Sequence, residues 1–246
     1  VEEAVRLAAG GALPQVIALQ EIESPVVAAD LVRDFLRRHR YVMTGRAGHT
    51  TTQVVVLSRT PPERQRTHAV SEVVLAGKSM RTRWTSRDMV DVTFARPPLR
   101  VVVAHWKSQS GGQAATAPKR LREARLVASL LEGEAAGAAG RAVLLVGDLN
   151  EDLRESPRHD GAWPTAWMRT LWDESSPGSY VYRGEWERLD HAFPLDTGVY
   201  AGSLRESLHP RLLDERGFPY RYDPRTRRGY SDHLPIAVTL TRRQSP

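Results

Sequence analysis

An acid and an imidazole stand side by side near the end of the sequence, as Asp232 and His233 in the segment YSDHLP. Asp supplies a hard oxygen ligand for a divalent cation, and His is the side chain that titrates near neutral pH. The pair therefore predicts a metal ligand beside a general base. The alternative is structural, with Asp232 capping a turn and His233 satisfied at a sheet edge. Other segments must supply matching groups for the chemical interpretation to hold.

Polar side chains of matching type follow several apolar, strand-like runs. These groups are Glu21 after residues 16–19, His105 after 99–104, Asp148 and Asn150 after 142–146, and Asp190 within 188–193. Gly147 leaves space for a close approach, and strand alternation puts Asp148 and Asn150 on one face. Sites built on a rigid sheet draw their polar groups from strand ends and adjacent loops. We therefore expect these side chains to converge.

The elements that must position these groups alternate between strand-like and helical patterns, and no linker or repeat interrupts them. Strand candidates, joined by turns containing Pro or Gly, cover residues 16–19, 52–57, 70–75, 89–94, 99–104, 142–146 and 188–193. The run 142–146 is the most apolar, which predicts a central strand. So many consecutive strands favour antiparallel pairing. We predict a single domain over residues 1–246, with two mostly antiparallel sheets packed face to face and helices outside.

Helices are predicted from capping signals and apolar spacing. Ser24 and Pro25 offer an N-cap and a first-turn proline for a helix that carries Val27, Leu31 and Phe35. Pro118 predicts the start of a long amphipathic helix whose apolar stripe is Leu121, Ala124, Ala128 and Leu131. A further series at helical spacing indicates packing rather than base stacking, and it consists of Trp163, Trp167, Leu171 and Trp172.

Composition restricts the possible chemistry without naming it. The chain has 246 residues, of which 41% are hydrophobic, enough for one large domain with a core. It has no cysteine, which excludes disulfides, thiolate zinc sites and a cysteine nucleophile. Any metal must therefore be held by oxygen or imidazole. No apolar run approaches membrane-spanning length, so we expect a soluble monomer.

The net charge of +6 comes almost entirely from arginine, because Lys78, Lys107 and Lys119 are the only lysines. Arginine contacts phosphate bidentately, which favours a polyanionic partner. GC-rich coding bias is an equally good explanation of the excess. One group of arginines precedes Asp232 closely enough to contact a substrate at that site. This group consists of Arg221, Arg225, Arg227 and Arg228.

Five segments resemble, in order, the motifs of the endonuclease/exonuclease/phosphatase superfamily, which includes pancreatic deoxyribonuclease, abasic-site endonucleases, sphingomyelinases and inositol polyphosphate phosphatases. The segments are residues 19–21 (LQE), 103–108 (VAHWKS), 146–150 (VGDLN), 188–191 (RLDH) and 231–235 (SDHLP). The resemblance covers about residues 14–240. It implies a four-layer α/β/β/α sandwich. It also implies hydrolysis of a phosphoester by in-line attack of an activated water, with Mg²⁺ or Mn²⁺ neutralising charge.

The resemblance also implies roles for the acids and the amide. Glu21 is expected to be the principal metal ligand, with Asp232 nearby. Asp148 is expected to orient the nucleophile or to hold a second metal. Asn150 is expected to donate to a phosphate oxygen and to join the metal site.

The same resemblance implies roles for the histidines. His233 is expected to be the general base, with Asp190 orienting its ring and stabilising the imidazolium. His105 is expected to donate to the scissile phosphate or to protonate the leaving oxygen. His191 competes with Asp190 for a role, but strand alternation should turn it to the opposite face, which favours a structural role.

Substrate contacts are expected from Arg87, Tyr180 and Arg228. The family often has a phosphate-contacting arginine at the position of Arg87, Tyr180 could stack on a base, and Arg228 could follow a phosphate backbone. The alternation of Tyr180 with Tyr182 fits an ordinary strand equally well. We expect a nucleic acid substrate, DNA or RNA. The alternative within the family is a sphingomyelinase- or inositol-phosphatase-type activity, because surrounding loops select the substrate.

The sequence departs from the family pattern at its beginning. Family members start with a strand that ends in an asparagine of the metal or phosphate site, whereas residues 1–11 here resemble the following helix, ended by glycine. We therefore expect an N-terminally truncated domain with an unpaired sheet edge. This departure motivates a second hypothesis, a catalytically inactive module that binds nucleic acid. A signal peptide would lie upstream of Val1, so a bacterial cytoplasmic and a secreted location both remain open.

Overall fold

The computed structural model describes residues 1–132, 140–153, 170–195 and 199–243. The helices in these ranges are α1 (Glu2–Ala8), α2 (Pro25–Asp34) and α3 (Gln113–Leu131). The strands are β1 (Val16–Ile22), β2 (Tyr41–Thr44), β3 (Gln53–Ser58), β4 (Arg64–His68), β5 (Ser71–Ala76), β6 (Ser79–Thr85), β7 (Met89–Phe94), β8 (Leu99–His105), β9 (Ala142–Asp148), β10 (Tyr180–Tyr182), β11 (Glu185–Glu187), β12 (Asp190–Pro194), β13 (Tyr200–Glu206) and β14 (Ile236–Arg242). Mixed α/β structure was expected from the alternation of patterns, and it is confirmed.

Two sheets form the centre of the fold. One has five strands in the order β12-β9-β8-β7-β4, and the other has three in the order β1-β3-β2. Neighbouring strands are antiparallel except for β8 and β9, which run parallel. Three further antiparallel pairs join β5 to β6, β10 to β11, and β13 to β14. The predicted predominance of antiparallel pairing is therefore confirmed.

Side-chain alternation along the strands builds three apolar layers. On β3, Val54 and Val56 face the five-stranded sheet, whereas Val55 and Leu57 face α2. On β8, Val101 and Val103 point between the sheets, and Val102 points toward α3. Each fully buried side chain of this size stabilises the fold by about 1.5–3 kcal/mol relative to exposure. The order helix, sheet, sheet, helix is the predicted sandwich.

Helix α2 has the predicted cap but a different buried face. Ser24 Oγ accepts a hydrogen bond from Val27 N–H at 3.3 Å, and Pro25 opens the helix. The side chain that packs inward is the fully buried Ala28, while Val27 and Phe35 are 38% and 58% exposed. Two adjacent stripes share the same spacing of four residues, so periodicity alone could not choose between them.

Helix α3 begins five residues before the predicted start at Pro118. Pro118 lies inside the helix, where it removes one backbone hydrogen bond close to the first turn. Residues 113–117 supply that turn, with Thr116 N–H and Oγ1 both donating to the Gly112 carbonyl. Ala124 and Leu131 of the predicted stripe are buried. The remaining buried positions include two charged residues, Arg120 and Glu123.

Strands β1 and β14 each pair on one side only within the part of the chain that the structure describes. β1 pairs with β3, and β14 pairs with β13. Both strands still contribute side chains, including Val16 and Val238, to the apolar layer between the sheets. The described segments contain no helix long and apolar enough to cross a membrane.

Candidate active site

Three polar side chains lie in one row across neighbouring strands of the five-stranded sheet. His105 at the end of β8 is in register with Asp148 at the end of β9. Asp148 is in turn in register with Asp190 at the start of antiparallel β12. The parallel strands β8 and β9 end at the same end of the sheet. Their antiparallel neighbour, β12, begins at that end. Three of the predicted site residues are thus adjacent because of strand direction and register.

Strand alternation directs this row toward the other sheet. Val103, two residues before His105, and Ala192, two residues after Asp190, both belong to the apolar layer between the sheets. His191 has the opposite parity and lies on the other face, where its ring stacks on Phe193 and Nε2 lies 2.9 Å from the Glu151 carbonyl. The structure therefore gives His191 a packing role.

Gly147 allows the row to form. Its φ is +137°, and a Cβ at this position would lie 1.9 Å from the Ala104 carbonyl oxygen of the neighbouring strand. Only glycine fits there without displacing β8. The residue immediately before Asp148 thus sets how closely the ends of β8 and β9 approach each other.

His233 is held by a buried carboxylate. Asp190 Oδ2 lies 2.6 Å from His233 Nδ1 and also accepts a hydrogen bond of 2.6 Å from Ser179 Oγ. Ser179 Oγ accepts the Asp190 N–H at 3.2 Å, and Trp172 Nε1 donates to the Asp190 carbonyl at 2.9 Å. Asp190 is therefore bound at its carboxylate, its N–H and its carbonyl. His233 Nε2 is left facing away from this pair, on a side chain that is 26% exposed.

The electrostatics of His233 follow from its neighbours. Burial opposes the charged ring, but the negative charge of Asp190 and its hydrogen bond outweigh burial and raise the pKa of His233. Asp148 and Asp232 act in the same direction. The Tyr180 ring packs on the imidazole with a centroid distance of 4.7 Å. These negative charges therefore favour the protonated form of His233 beside the Asp190 carboxylate.

Asp148 and Asn150 are linked to each other and to the end of β8. Asn150 N–H donates to Asp148 Oδ1 at 2.8 Å, and Asn150 Nδ2 donates to Asp148 Oδ2 at 3.0 Å. Asn150 has a left-handed backbone with φ of 52°, which lets its side chain fold back on Asp148. The two residues act as one rigid polar unit.

His105 is the last residue of β8 and contacts the neighbouring acid of the row. Its side chain is only 3% exposed, and Nε2 lies 3.3 Å from Asp148 Oδ2. In this position the imidazole supports the Asp148 carboxylate. The expected contact of His105 with the scissile phosphate or the leaving oxygen stays a prediction.

Glu21 lies at an irregularity of β1. The register of β1 with β3 shifts between Leu19 and Ile22, and Glu21 has φ of 57°. Such bulges re-aim a side chain, and non-glycine residues in this conformation concentrate at functional sites. The Glu21 side chain is exposed and lies within electrostatic reach of Arg87, as Asp148 does.

Arg87 lies within electrostatic reach of three acids, from β1, α3 and β9. Its Nε is buried and has no hydrogen-bond partner in the described ranges. Burial lowers the pKa of its guanidinium, whereas three carboxylates act in the opposite direction, those of Glu21, Glu123 and Asp148. Arg87 is thus electrostatically coupled to Glu21 and Asp148, and its contact with a phosphate stays a prediction.

The remaining predicted residues surround His233 less closely. Asp232 is 42% exposed at its side chain, and Oδ2 lies 3.9 Å from Arg221 Nε. Arg228 is exposed in the turn of residues 223–228, where its carbonyl accepts the Asp223 N–H at 2.8 Å. Asp232 therefore borders the site, whereas Arg228 lies on the loop that leads to it. Trp163 and Trp167 lie outside the described residues.

The acid-rich row fits a hard divalent cation. Among the described residues, Asp148, Asp190 and His233 offer ligand atoms that all lie within 4.8 Å of one another. Glu21 and Asp232 lie outside this group. Asp190 Oδ2 and His233 Nδ1 already bind each other, so the oxygens of Asp148 are the better placed ligands. Carboxylate oxygens are the donors that Mg²⁺ and Mn²⁺ prefer.

Two supporting residues were missed by sequence reasoning. Ser179 binds Asp190, and Glu123 accepts a hydrogen bond from Lys107 N–H at 2.9 Å. Ser179 gave no sequence signal beyond its neighbour Gly178. Glu123 did give a signal, because with Arg120 it places two charges on the inward side of an amphipathic helix.

A model of the Endonuclease/Exonuclease/phosphatase family matches residues 2–242 of the chain. The chain belongs to this family. Membership in the endonuclease/exonuclease/phosphatase family supports a phosphoesterase activity, and it accounts for the sequence motifs at the ends of β1, β8 and β9. No match was found among curated proteins.

Solved structures share the fold at low sequence identity. TDP2 from D. rerio, humanised by 14 mutations, is 19% identical and has a TM-score of 0.60, with 98% of this chain and 91% of that chain covered. An endonuclease/exonuclease/phosphatase family protein from Bacteroides thetaiotaomicron is 13% identical, with a TM-score of 0.61 and coverage of 97% and 87%. The human Nocturnin catalytic domain with a bound sulfate anion is 14% identical, with a TM-score of 0.52 and coverage of 98% and 87%. At these identities the likeness shows the fold alone.

Proposed function

We propose that the protein is a divalent-cation-dependent phosphodiesterase that hydrolyses nucleic acid. The observation that carries this proposal is the convergence of Asp148, Asp190 and His233 at one end of the five-stranded sheet. Ser179 holds the Asp190 carboxylate there by a hydrogen bond. An oriented imidazole beside clustered carboxylates is the arrangement needed to activate water next to a phosphoryl group.

In this proposal, Asp190 fixes the His233 ring through Nδ1, so Nε2 takes the proton from the attacking water. Asp190 then stabilises the imidazolium. The Tyr180 ring holds the imidazole plane from one side. Asp148 and Asn150 orient the reacting groups. The buried His105 contacts the Asp148 carboxylate through Nε2 and limits its movement.

Mg²⁺ or Mn²⁺ would be held by Asp148 and Asn150, with Glu21 and Asp232 completing the set from the neighbouring strand end and loop. When bound, the cation supplies positive charge that neutralises the phosphoryl oxygens and offsets the carboxylates around His233. In the same proposal, Arg87 contacts a phosphate oxygen, and its electrostatic coupling to Glu21 and Asp148 supports this role.

A nucleic acid substrate is favoured by exposed aromatic and arginine side chains in the two segments that lead to Tyr180 and His233. Tyr182 and Tyr222 are 51% and 50% exposed, and the Arg183 guanidinium lies 5.2 Å from the Tyr182 ring centroid. The loop that precedes His233 carries Arg221 and Arg228, both exposed. Stacking surfaces combined with cations are typical of proteins that bind single-stranded nucleic acid.

The test is hydrolysis of labelled DNA and RNA, single- and double-stranded, by purified protein with Mg²⁺ or Mn²⁺. Sphingomyelin and an inositol polyphosphate are assayed in parallel. We expect cleavage of at least one nucleic acid, abolished by EDTA and by Glu21→Gln. Hydrolysis confined to the lipid or the inositol phosphate would contradict the substrate assignment. Nucleic acid binding that is insensitive to EDTA, without turnover, would support an inactive binding module instead.

A further inference from the structure

Helix α3 directs two opposite charges into the protein, toward the end of β8. Arg120 and Glu123 are 0% and 1% exposed. Residues three apart lie on one helix face, so both charges point the same way. Burying a charge is expensive unless the group is paired and hydrogen-bonded. The partners of these two side chains therefore indicate what the arrangement supports.

Both charged side chains bind the backbone of Lys107, two residues after His105. Glu123 Oε2 accepts the Lys107 N–H at 2.9 Å, and Arg120 Nη1 donates to the Lys107 carbonyl at 3.2 Å. Arg120 Nε also pairs with Glu151 Oε2 at 2.6 Å. Helix α3 thus hydrogen-bonds both the N–H and the carbonyl of Lys107. It is also ion-paired with Glu151, the residue that follows Asn150.

The candidate site likewise hydrogen-bonds both backbone groups of Trp106, the residue before Lys107. Trp106 N–H donates to the Asp148 carbonyl at 3.0 Å, and Asn150 Nδ2 donates to the Trp106 carbonyl at 3.2 Å. The backbone after His105 is therefore held from one side by the Asp148–Asn150 unit and from the other by α3. Displacement of Lys107 would be transmitted through Trp106 to Asn150 and Asp148.

Glu123 also shares the electrostatic environment of the site. Glu123 lies within electrostatic reach of Arg87, as Glu21 and Asp148 do. Arg120 already has a carboxylate partner in Glu151, so the charge of Glu123 is not needed to balance it. Burial raises the pKa of Glu123 to about 8, so its main contribution near neutral pH is as a hydrogen-bond acceptor.

We propose that Glu123 is a positioning residue for the hydrolytic site: by accepting the Lys107 N–H, it holds the end of β8 in register with the Asp148–Asn150 unit. This inference rests on the proposed function for its catalytic readout. It predicts that the acceptor atom matters more than the charge, because the amide of glutamine can accept the same hydrogen bond.

The test compares Glu123→Leu, which removes the acceptor at similar volume, with Glu123→Gln, which keeps it. Val127→Ala on the same buried face of α3 is the matched control for lost stability. We expect Glu123→Leu to lower kcat at least tenfold with KM changed less than threefold, well below its melting temperature. Glu123→Gln should return kcat to within threefold of wild type, and Val127→Ala should lower the melting temperature without lowering kcat.

Amide hydrogen exchange at Lys107 separates this inference from the proposed function. Glu123→Leu should accelerate exchange at Lys107 at least tenfold, while Glu123→Gln and Val127→Ala should not. Unchanged exchange in Glu123→Leu, full kcat in Glu123→Leu, or failure of Glu123→Gln to restore kcat would each overturn the inference. A wild-type protein that turns over no phosphodiester would refute the proposed function, and the exchange result would then decide the structural part alone.

Discussion

Replacing Asp190 with asparagine tests how the site makes use of His233. Asp190 Oδ2 receives both the His233 Nδ1 contact and the Ser179 Oγ hydrogen bond, each at 2.6 Å. Asparagine keeps the shape of the side chain but removes the charge. It also leaves one oxygen and one NH₂ group where two acceptor oxygens stood. The imidazolium formed during proton transfer would therefore lose its stabilising partner.

The size of the effect follows from the hydrogen bonds that change. Bonds to a charged group contribute about 1.5–3 kcal/mol, against about 0.5–1.5 for neutral pairs. Two bonds weakened in this way correspond to about 2–3 kcal/mol of transition-state stabilisation, or roughly a 100-fold loss at 1.36 kcal/mol per tenfold. We expect kcat to fall about 100-fold with KM nearly unchanged, within the range of about 10²–10⁴ for general base catalysis.

The assay is steady-state hydrolysis of the best nucleic acid substrate, with Asp91→Asn as the matched control. Asp91 is also a buried carboxylate of the same sheet, but its partners are Arg100 and His68. Asp91→Asn should destabilise the fold by about 3–5 kcal/mol and leave kcat of the folded enzyme within about threefold, because it breaks a buried ion pair away from His233. Equal losses of kcat in the two variants would refute a special role for Asp190.

Three further predictions address the groups around this pair. Ser179→Ala removes one of the two donors to Asp190 and should lower kcat about tenfold, less than Asp190→Asn; a loss equal to that of Asp190→Asn would show that Ser179 does more than support Asp190. Asp148→Asn should weaken Mn²⁺ binding in calorimetry at least tenfold, whereas His233→Ala should change it less than threefold; loss of binding in His233→Ala would make the imidazole a ligand. The raised pKa of Glu123, about 8, means that the folded protein binds a proton that the unfolded chain releases near 4.5. Glu123 therefore favours folding below pH 4.5 and loses that contribution as the pH rises to 8, so Glu123→Gln should gain stability relative to wild type on going from pH 5 to 9. Chemical denaturation at both pH values measures the difference, and a constant difference would contradict the assignment.

Much of the site could be predicted because it depends on strand ends. The apolar runs before His105 and Asp148 became β8 and β9, and alternation correctly separated Asp190 from His191. Residue type and parity are sufficient for such predictions, since a rigid sheet projects side chains from its edge in a fixed pattern.

The rest depends on long-range packing that local patterns do not encode. Burial of His105 follows from the layer between the sheets, and the Ser179–Asp190 bond joins residues from separate segments. The bulge that re-aims Glu21 arises from pairing with β3 rather than from any signal in the residues around it. On α2, two stripes with the same spacing left the choice of buried face to tertiary contacts.

The most direct test of the central claim is cleavage of a nucleic acid panel with Mg²⁺ or Mn²⁺ by wild-type protein and by His233→Ala, side by side across pH. We expect cation-dependent cleavage by wild type whose kcat/KM rises with pH as the His233 imidazole loses its proton. We also expect a loss of at least about 100-fold in His233→Ala. Cleavage by His233→Ala at the wild-type rate and with the same pH dependence would contradict the central claim.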